Sequence, residues 1–193
     1  MPLIVQPDPD CVGNIYAHLF ENSQVGVPRN LYWSVTVPLL PVEWEEDEYE
    51  CLLTCEWITW PIKEWTQLNG ASLATSTNAS LIESSLYFVE HHPVHIDRLE
   101  LRKAAGGARF SVVVAGEFDL EGFGELDGKN IRFAVQREVD FEGIVVVPGN
   151  LSPKPQSASD VLQVLSPYVE LGAFGQPVLD RFRYVLPPSV SEA

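Results

Sequence analysis

The chain has 193 residues with 27 acidic and 12 basic side chains, so its formal net charge is −15 and its isoelectric point lies near 4.5. Hydrophobic residues make up 46% of the sequence and charged residues 20%, which excludes an acidic disordered chain and favours a packed core. The length fits one domain over residues 1–193, with a frayed tail predicted at 187–193. The negative charge argues against nucleic acid and anionic membranes as partners, because both repel an acidic protein.

We expect neither a membrane-spanning helix nor a targeting segment. No stretch reaches the roughly 18 consecutive apolar residues of a membrane helix, and residues 1–8 lack a basic n-region. We therefore expect a cytoplasmic protein. Three cysteines are too few for a secreted disulfide framework, so we expect reduced thiols at Cys11, Cys51 and Cys55.

The acidic residues are concentrated in the N-terminal third. Residues 1–56 hold ten acids against a single base, Arg29, and six of those acids fall within eight positions together with two aromatic residues. This stretch consists of Glu43, Trp44, Glu45, Glu46, Asp47, Glu48, Tyr49 and Glu50. Runs rich in β-branched and aromatic residues flank it at 31–40 and 51–58. The pattern predicts a strand, an acidic connection and a second strand.

A short helix is predicted over residues 59–70, because Pro61 stands near its first turn and Asn69-Gly70 at its end. Two further strands are predicted at 71–75 and 81–90, where turn-rich residues separate them.

The clearest local pattern lies between residues 96 and 147. Leu99 and Leu101 alternate with charged residues before Gly106-Gly107, and the alternation resumes through Val112 and Val114. A hairpin turn at the two glycines would place Leu101 opposite Val112 and Leu99 opposite Val114. One face of this pair is then apolar.

A second turn is predicted around Asp127-Gly128. It would place Val114 opposite Phe141 and Leu120 opposite Val135, extending the hairpin into an antiparallel meander with the same apolar face.

The remainder contains a loop at 150–159, a helix capped by Ser157 and ending near Leu165, and a last strand at 178–186. Predicted strands outnumber predicted helices about fourfold. The fold class is therefore mainly β, with α+β as the alternative. We expect an antiparallel β-sandwich or a strongly curved sheet with one or two short helices packed on it.

Two segments of the meander share the pattern acid, apolar, Asp, apolar, Glu, Gly, at 117–122 and 138–143. Carboxylates in such numbers suit a calcium site or an acid–base pair. Because arginines of the same meander share this face, a solvated polar face is the preferred interpretation, although Glu117 is expected opposite Glu138 as a like-charged pair. The ligand candidates are Glu117, Asp119, Glu138 and Asp140.

Arg137 is a fifth ligand candidate, because it falls on the apolar face of its strand. A buried guanidinium must be paired, so we expect a structural ion pair, with a ligand-facing role as the alternative.

Three histidines, His91, His92 and His95, are weak candidates for a metal site. The only thiols close to each other in sequence, Cys51 and Cys55, would lie roughly 13 Å apart in an extended strand, too far to chelate one zinc ion. No Gly-x-Ser-x-Gly elbow or phosphate-binding loop is present. We expect no metal and no cofactor, and partly exposed imidazoles in a turn.

Trp44 and Tyr49 flank the densest acids and are expected to be exposed, as aromatic anchors beside charges that steer a partner. We therefore favour a non-enzymatic acidic binding protein that engages a basic protein partner, such as an antitoxin or immunity-type inhibitor. One alternative is an enzyme or a ligand- or cation-binding β-protein that uses the carboxylates at 117–142 and the histidines at 91–95. Another is an assembly subunit; the oligomeric state stays open.

Overall fold

The computed structural model describes residues 5–44, 46–74, 82–121, 124, 128 and 130–190. The described residues are mainly β, as predicted. Their strands are β1 Gly13–Asn22, β2 Val27–Trp44, β3 Asp47–Ile58, β4 Ser72–Ala74, β5 Glu83–Phe88, β6 Glu90–Lys103, β7 Arg109–Phe118, β8 Ile131–Val146, β9 Val178–Asp180 and β10 Arg183–Leu186. Helical segments are α1 Ala158–Leu165 and 3-10 turns at Trp65–Leu68, Pro148–Asn150 and Leu171–Ala173.

Seven of the described strands close into a barrel in the order β1, β2, β3, β5, β6, β7, β8. The closing contact is a parallel pairing of β1 with β8, from Gly13 opposite Val139 to Leu19 opposite Val146. The sandwich prediction is therefore wrong. Strands as long as β2, with 18 residues, and β8, with 16, accumulate enough twist and coil to bring the two sheet edges together.

β8 changes its neighbour near its end, and this change creates an appendage. β7 pairs with β8 as far as Asp140, whereas β10 pairs with Ile144–Val146 of β8 and β9 follows β10. Gly143 lies between the two partners with φ +118°, and a Cβ atom there would collide with the carbonyl oxygen of Leu186. The single strand predicted at 178–186 is thus a two-strand hairpin, with Arg181 in its turn at φ +57°.

The core fills the barrel interior. Trp33, Phe88, Phe110 and Phe118 are fully buried there. Helix α1 adds Val161 and Leu165 to the same cluster, and the 3-10 turn of the predicted 59–70 helix adds Trp65 and Leu68. The predicted cap of α1 is confirmed, because the Ser157 side chain accepts a hydrogen bond from the Asp160 amide.

The register of the first hairpin is confirmed, with Leu99 opposite Val114 and Leu101 opposite Val112. In the second hairpin Val114 lies opposite Val135 rather than Phe141. The shift is even, so the same side chains still point inward. The strands part after Phe118, earlier than predicted. Asp127 of the predicted turn lies outside the described residues.

Strand direction places the β2–β3 turn and the start of β8 at one end of the barrel, and the β1–β2 turn and the end of β8 at the other. Of the predicted frayed tail, residues 191–193 lie outside the described part, and Ser189 donates a backbone hydrogen bond to Ala173. Across the described ranges, no helix has both the length and the apolar composition needed to cross a bilayer.

Candidate functional site

The densest acids lie at the protruding end of the β2–β3 hairpin. β2 continues to Trp44 and β3 begins at Asp47, which are paired across a two-residue turn. The predicted acidic connection is therefore mostly strand. We call the described acids of this hairpin end the acidic tip: Glu43, Glu46, Asp47, Glu48 and Glu50, all of them exposed. Glu45, the sixth acid, lies outside the described residues.

The acidic tip carries negative charge that no described base compensates. None of its carboxylates lies within ion-pair distance of a described base. Glu43 is directly opposite Glu48, an arrangement that destabilises a strand pair. Glu46 has φ +76°, a backbone conformation that glycine or asparagine adopts more easily. The local sequence therefore favours negative charge over hairpin stability.

Trp44 and Tyr49 are half-buried rather than exposed. Both rings meet the ring of Phe88 edge-on, at centroid distances of 5.9 Å for Trp44 and 6.2 Å for Tyr49. The expectation of two exposed anchors is wrong, because both rings pack against the buried ring of Phe88. A partner would contact only the part of each ring that remains outside.

The carboxylates of the meander lie on a different kind of surface, the outer face of β6, β7 and β8, which we call the salt-bridged face. Arg132 is opposite Glu117 at 3.3 Å and also reaches Asp97 at 3.3 Å. Glu138 is opposite Ser111, so the expected pairing of Glu117 with Glu138 is wrong. The displaced register of the second hairpin is the reason.

Arg109 holds the other two carboxylates of this face. Its guanidinium donates two hydrogen bonds to Asp140, of 2.7 and 2.9 Å, and lies 3.4 Å from Glu138. These hydrogen bonds from Arg109 lower the pKa of Asp140. The hydrogen bond from Arg98 likewise lowers the pKa of Glu100. Carboxylates held ionised by arginine are poor proton donors, and their oxygens are already occupied.

Asp119 is exposed in the loop after β7, where its side chain accepts a hydrogen bond from the Glu121 amide. Within the part of the chain that the structure describes, no three His, Cys, Asp or Glu side chains form a group that could hold a metal ion.

The histidines of β6 do not converge. His91 and His95 are exposed, whereas His92 points inward and its Nε2 lies 3.1 Å from the Phe88 carbonyl oxygen. His95 lies 3.7 Å from Asp97. Strand alternation explains this divergence, because neighbouring residues point to opposite faces.

The two thiols of β3, Cys51 and Cys55, are both free and buried in the interior, where burial raises the pKa of each to about 12. Neither supplies a thiolate at neutral pH.

Arg137 bonds to backbone rather than to a carboxylate. Its guanidinium donates to the carbonyl oxygens of Cys11, at 2.9 Å, and Pro9, at 2.7 Å. It thus links the segment before β1 to β8, while Pro7 of the same segment bridges to Leu39 of β2. The pKa of Asp8 is lowered chiefly by a hydrogen bond from the Asp10 amide. The positive charge of Arg137 contributes to the same lowering.

A second surface, which the sequence did not indicate, lies on the outer wall of β1 to β3. His18 is surrounded by four aromatic rings at centroid distances of 5.2 to 6.3 Å: Tyr16, Phe20, Tyr32 and Trp57. Burial lowers the pKa of His18. The imidazole thus fills the centre of an aromatic group on this wall.

The sequence also missed the exposed β9–β10 hairpin and the role of Arg109. Phe182, Leu179 and Val178 of the hairpin are among the most exposed large apolar side chains that the structure describes. The break in alternation at Asp180-Arg181 was the available signal for a turn. For Arg109, the signal was its position directly after the Gly106-Gly107 turn, at the start of a strand paired with β8.

Comparison with known proteins assigns this chain to no family. No protein-family model, curated protein or solved structure shows significant similarity to this chain.

Proposed function

We propose that this protein is a non-enzymatic binding protein whose acidic tip engages a basic protein partner. The observation that carries the proposal is that the described acids of the tip have no ion pair with a described base, whereas those of the salt-bridged face are paired with arginine. Unpaired carboxylates at a protruding hairpin end attract a cationic surface over about a Debye length and raise the rate of encounter.

Inhibition of a cationic toxin, as an immunity-type protein performs it, is the form of this function that we favour. The tip acids would occupy a basic groove that otherwise holds the phosphates of nucleic acid, so that binding blocks the groove. The half-buried rings of Trp44 and Tyr49 would contribute apolar contact at the centre of that interface.

The alternative of an enzyme or cation-binding protein at 117–142 receives less support. Glu117, Glu138 and Asp140 contact arginines, and the histidines at 91–95 point to different faces. The remaining alternative, an assembly subunit, is compatible with an acidic tip that binds a basic surface of another subunit.

The test uses the purified chain as bait in an extract of its native cell, followed by kinetics with the captured protein after its purification. We expect a basic protein to be captured, and we expect the triple variant Glu46→Lys, Asp47→Lys, Glu48→Lys to associate with it at least about tenfold more slowly. The rate for the wild type should fall steeply as salt is added.

The matched control reverses three exposed acids elsewhere, Glu83→Lys, Glu142→Lys and Glu170→Lys, with the same change in net charge. We expect a much smaller effect on the rate. Equal slowing by both triple variants would attribute the effect to net charge and overturn the proposal, as would capture of no basic protein.

A further inference from the structure

The β9–β10 hairpin exposes apolar side chains together. Phe182 is 70% exposed, Leu179 60% and Val178 59%. Clustered exposure of this kind, unlike single exposed residues, is typical of a contact surface. On its outer side β9 has no strand partner among the described residues. The hairpin therefore presents both apolar side chains and a free strand edge.

The charge of the hairpin is opposite to that of the chain. Residues 178–186 contain Arg181, Arg183 and Asp180, a net charge of +1 in a chain of −15. Arg183 lies 3.1 Å from Asp180, which leaves Arg181, exposed in the turn, without an ion pair to a described acid. The hairpin is thus a cationic and apolar projection.

This projection and the acidic tip lie at opposite ends of the barrel. β8 begins at Ile131, opposite the end of β7, on the side of the β2–β3 turn. It ends at Val146, opposite Tyr184 of β10. The 16 residues of β8 span about 50 Å of extended strand. A hairpin cannot reach the acidic tip of its own chain, so the two complementary surfaces can meet only between molecules.

We propose that the β9–β10 hairpin of one copy docks on the acidic tip of a second copy. Arg181 meets the tip carboxylates, and Phe182 and Leu179 pack against the exposed parts of Trp44 and Tyr49. Since each copy uses one end as donor and the other as acceptor, the contact is head-to-tail and leaves both surfaces free at the ends of a stack.

Self-association of this kind needs no outside partner, so it is independent of the proposed function. It also regulates that function, because a tip covered by a neighbouring hairpin is closed to a basic protein. A stack therefore has one accessible acidic tip, whereas separate copies have one each.

Sedimentation velocity of the purified protein over about two decades of concentration tests the proposal. We expect growth beyond the dimer that weakens with added salt. The variants Arg181→Glu/Arg183→Glu and Glu43→Lys/Glu46→Lys/Asp47→Lys/Glu48→Lys should each associate at least about tenfold more weakly, because like charges then face each other. The first changes the hairpin from +1 to −3, and the second changes residues 43–50 from −6 to +2. An equal mixture of the two should restore association, since the acidic hairpin of one then fits the basic tip of the other.

The control Lys63→Glu/Lys154→Glu makes the same charge change as the hairpin variant, at exposed lysines outside both surfaces, and should associate like the wild type. Phe182→Ser, which changes no charge, should weaken association as well, and circular dichroism checks that each variant is folded. A monomer at all concentrations overturns the proposal. Association that stops at a dimer and persists in the tip variant also overturns it, because that result indicates pairing of β9 edges. A mixture of the two variants that does not associate overturns it as well.

Discussion

The acidic tip and the salt-bridged face are both rich in carboxylates, yet they differ in what lies opposite each acid. On the salt-bridged face the cross-strand neighbour of Glu117 is Arg132, and that of Asp140 is Arg109. At the acidic tip the neighbour of Glu43 is Glu48. The net charge of −15 does not distinguish these surfaces, whereas the strand register does. Carboxylates that meet arginine stabilise the barrel, and those that meet one another are available to a partner.

The two regions also differ in what their backbone tolerates. The strands beneath the salt-bridged face contain a β-bulge at Ile96–Arg98, where Gly116, at a buried position of β7, lies opposite Ile96. The acidic tip instead ends in a tight turn with a glutamate at positive φ. The first region is closely packed backbone against backbone, and the second extends into solvent. Substitutions should therefore affect stability strongly in the strands β6–β8 that carry the salt-bridged face, and weakly at the tip.

The largest effect is expected for Gly116→Ala. A Cβ atom at this position would collide with the carbonyl oxygen of His95, and neither backbone can move without disturbing the bulge. We expect the free energy of unfolding to fall by about 3 kcal/mol, measured by urea denaturation. Gly149→Ala is the control, because open space surrounds that position. An unchanged midpoint for Gly116→Ala would show that the bulge is not rigid.

An intermediate effect is expected for Arg109→Met, which removes the guanidinium that lowers the pKa of Asp140. Because the pKa of Asp140 is lower in the folded chain, the unfolded chain binds this proton more readily. The stabilisation from Arg109 is therefore fully present above pH 3.8, the ordinary pKa of the group. It is lost as the pH falls through the lower pKa of the folded state. At neutral pH the variant should melt about 2 °C below the wild type. The difference should disappear in acid.

Calorimetry between neutral and acidic pH measures this difference. Lys154→Met serves as control, since Lys154 is exposed and has no ion pair with a described acid, and its melting temperature should match the wild type at each pH. A gap for Arg109→Met that persists in strong acid would indicate that Arg109 stabilises through its aliphatic stem instead.

The sequence predicts the strands well where the alternation is uninterrupted. The Gly106-Gly107 turn fixes the first hairpin register, because Lys103 and Phe110 are then paired and every inward position follows. The register of the second hairpin differs from the predicted one, because the sequence between Phe118 and Ile131 has no comparable turn signal. Barrel closure was beyond prediction, since the parallel pairing of β1 with β8 joins residues more than a hundred positions apart.

The candidate site likewise has features that the sequence predicts and features that it does not. The location of the acidic tip follows from composition alone. Its hairpin geometry does not, because neither Glu46 nor its neighbours resemble a turn sequence. Burial of Trp44 and Tyr49 against Phe88 depends on β5, which lies almost forty residues further along the chain. Local pattern cannot indicate a contact of that range.

The smallest effect is expected at the acidic tip, and it has the opposite sign. Glu48→Gln removes the repulsion from Glu43 across the hairpin, so the variant should be more stable than the wild type by about 0.3 kcal/mol at low salt. Glu170→Gln changes net charge equally at an exposed position outside the described strands, so subtracting its effect isolates the pair. The remaining gain should vanish in high salt, where repulsion between exposed charges is screened. A loss of stability in Glu48→Gln would mean that Glu48 is satisfied within the chain, and the contrast between tip and salt-bridged face would no longer hold.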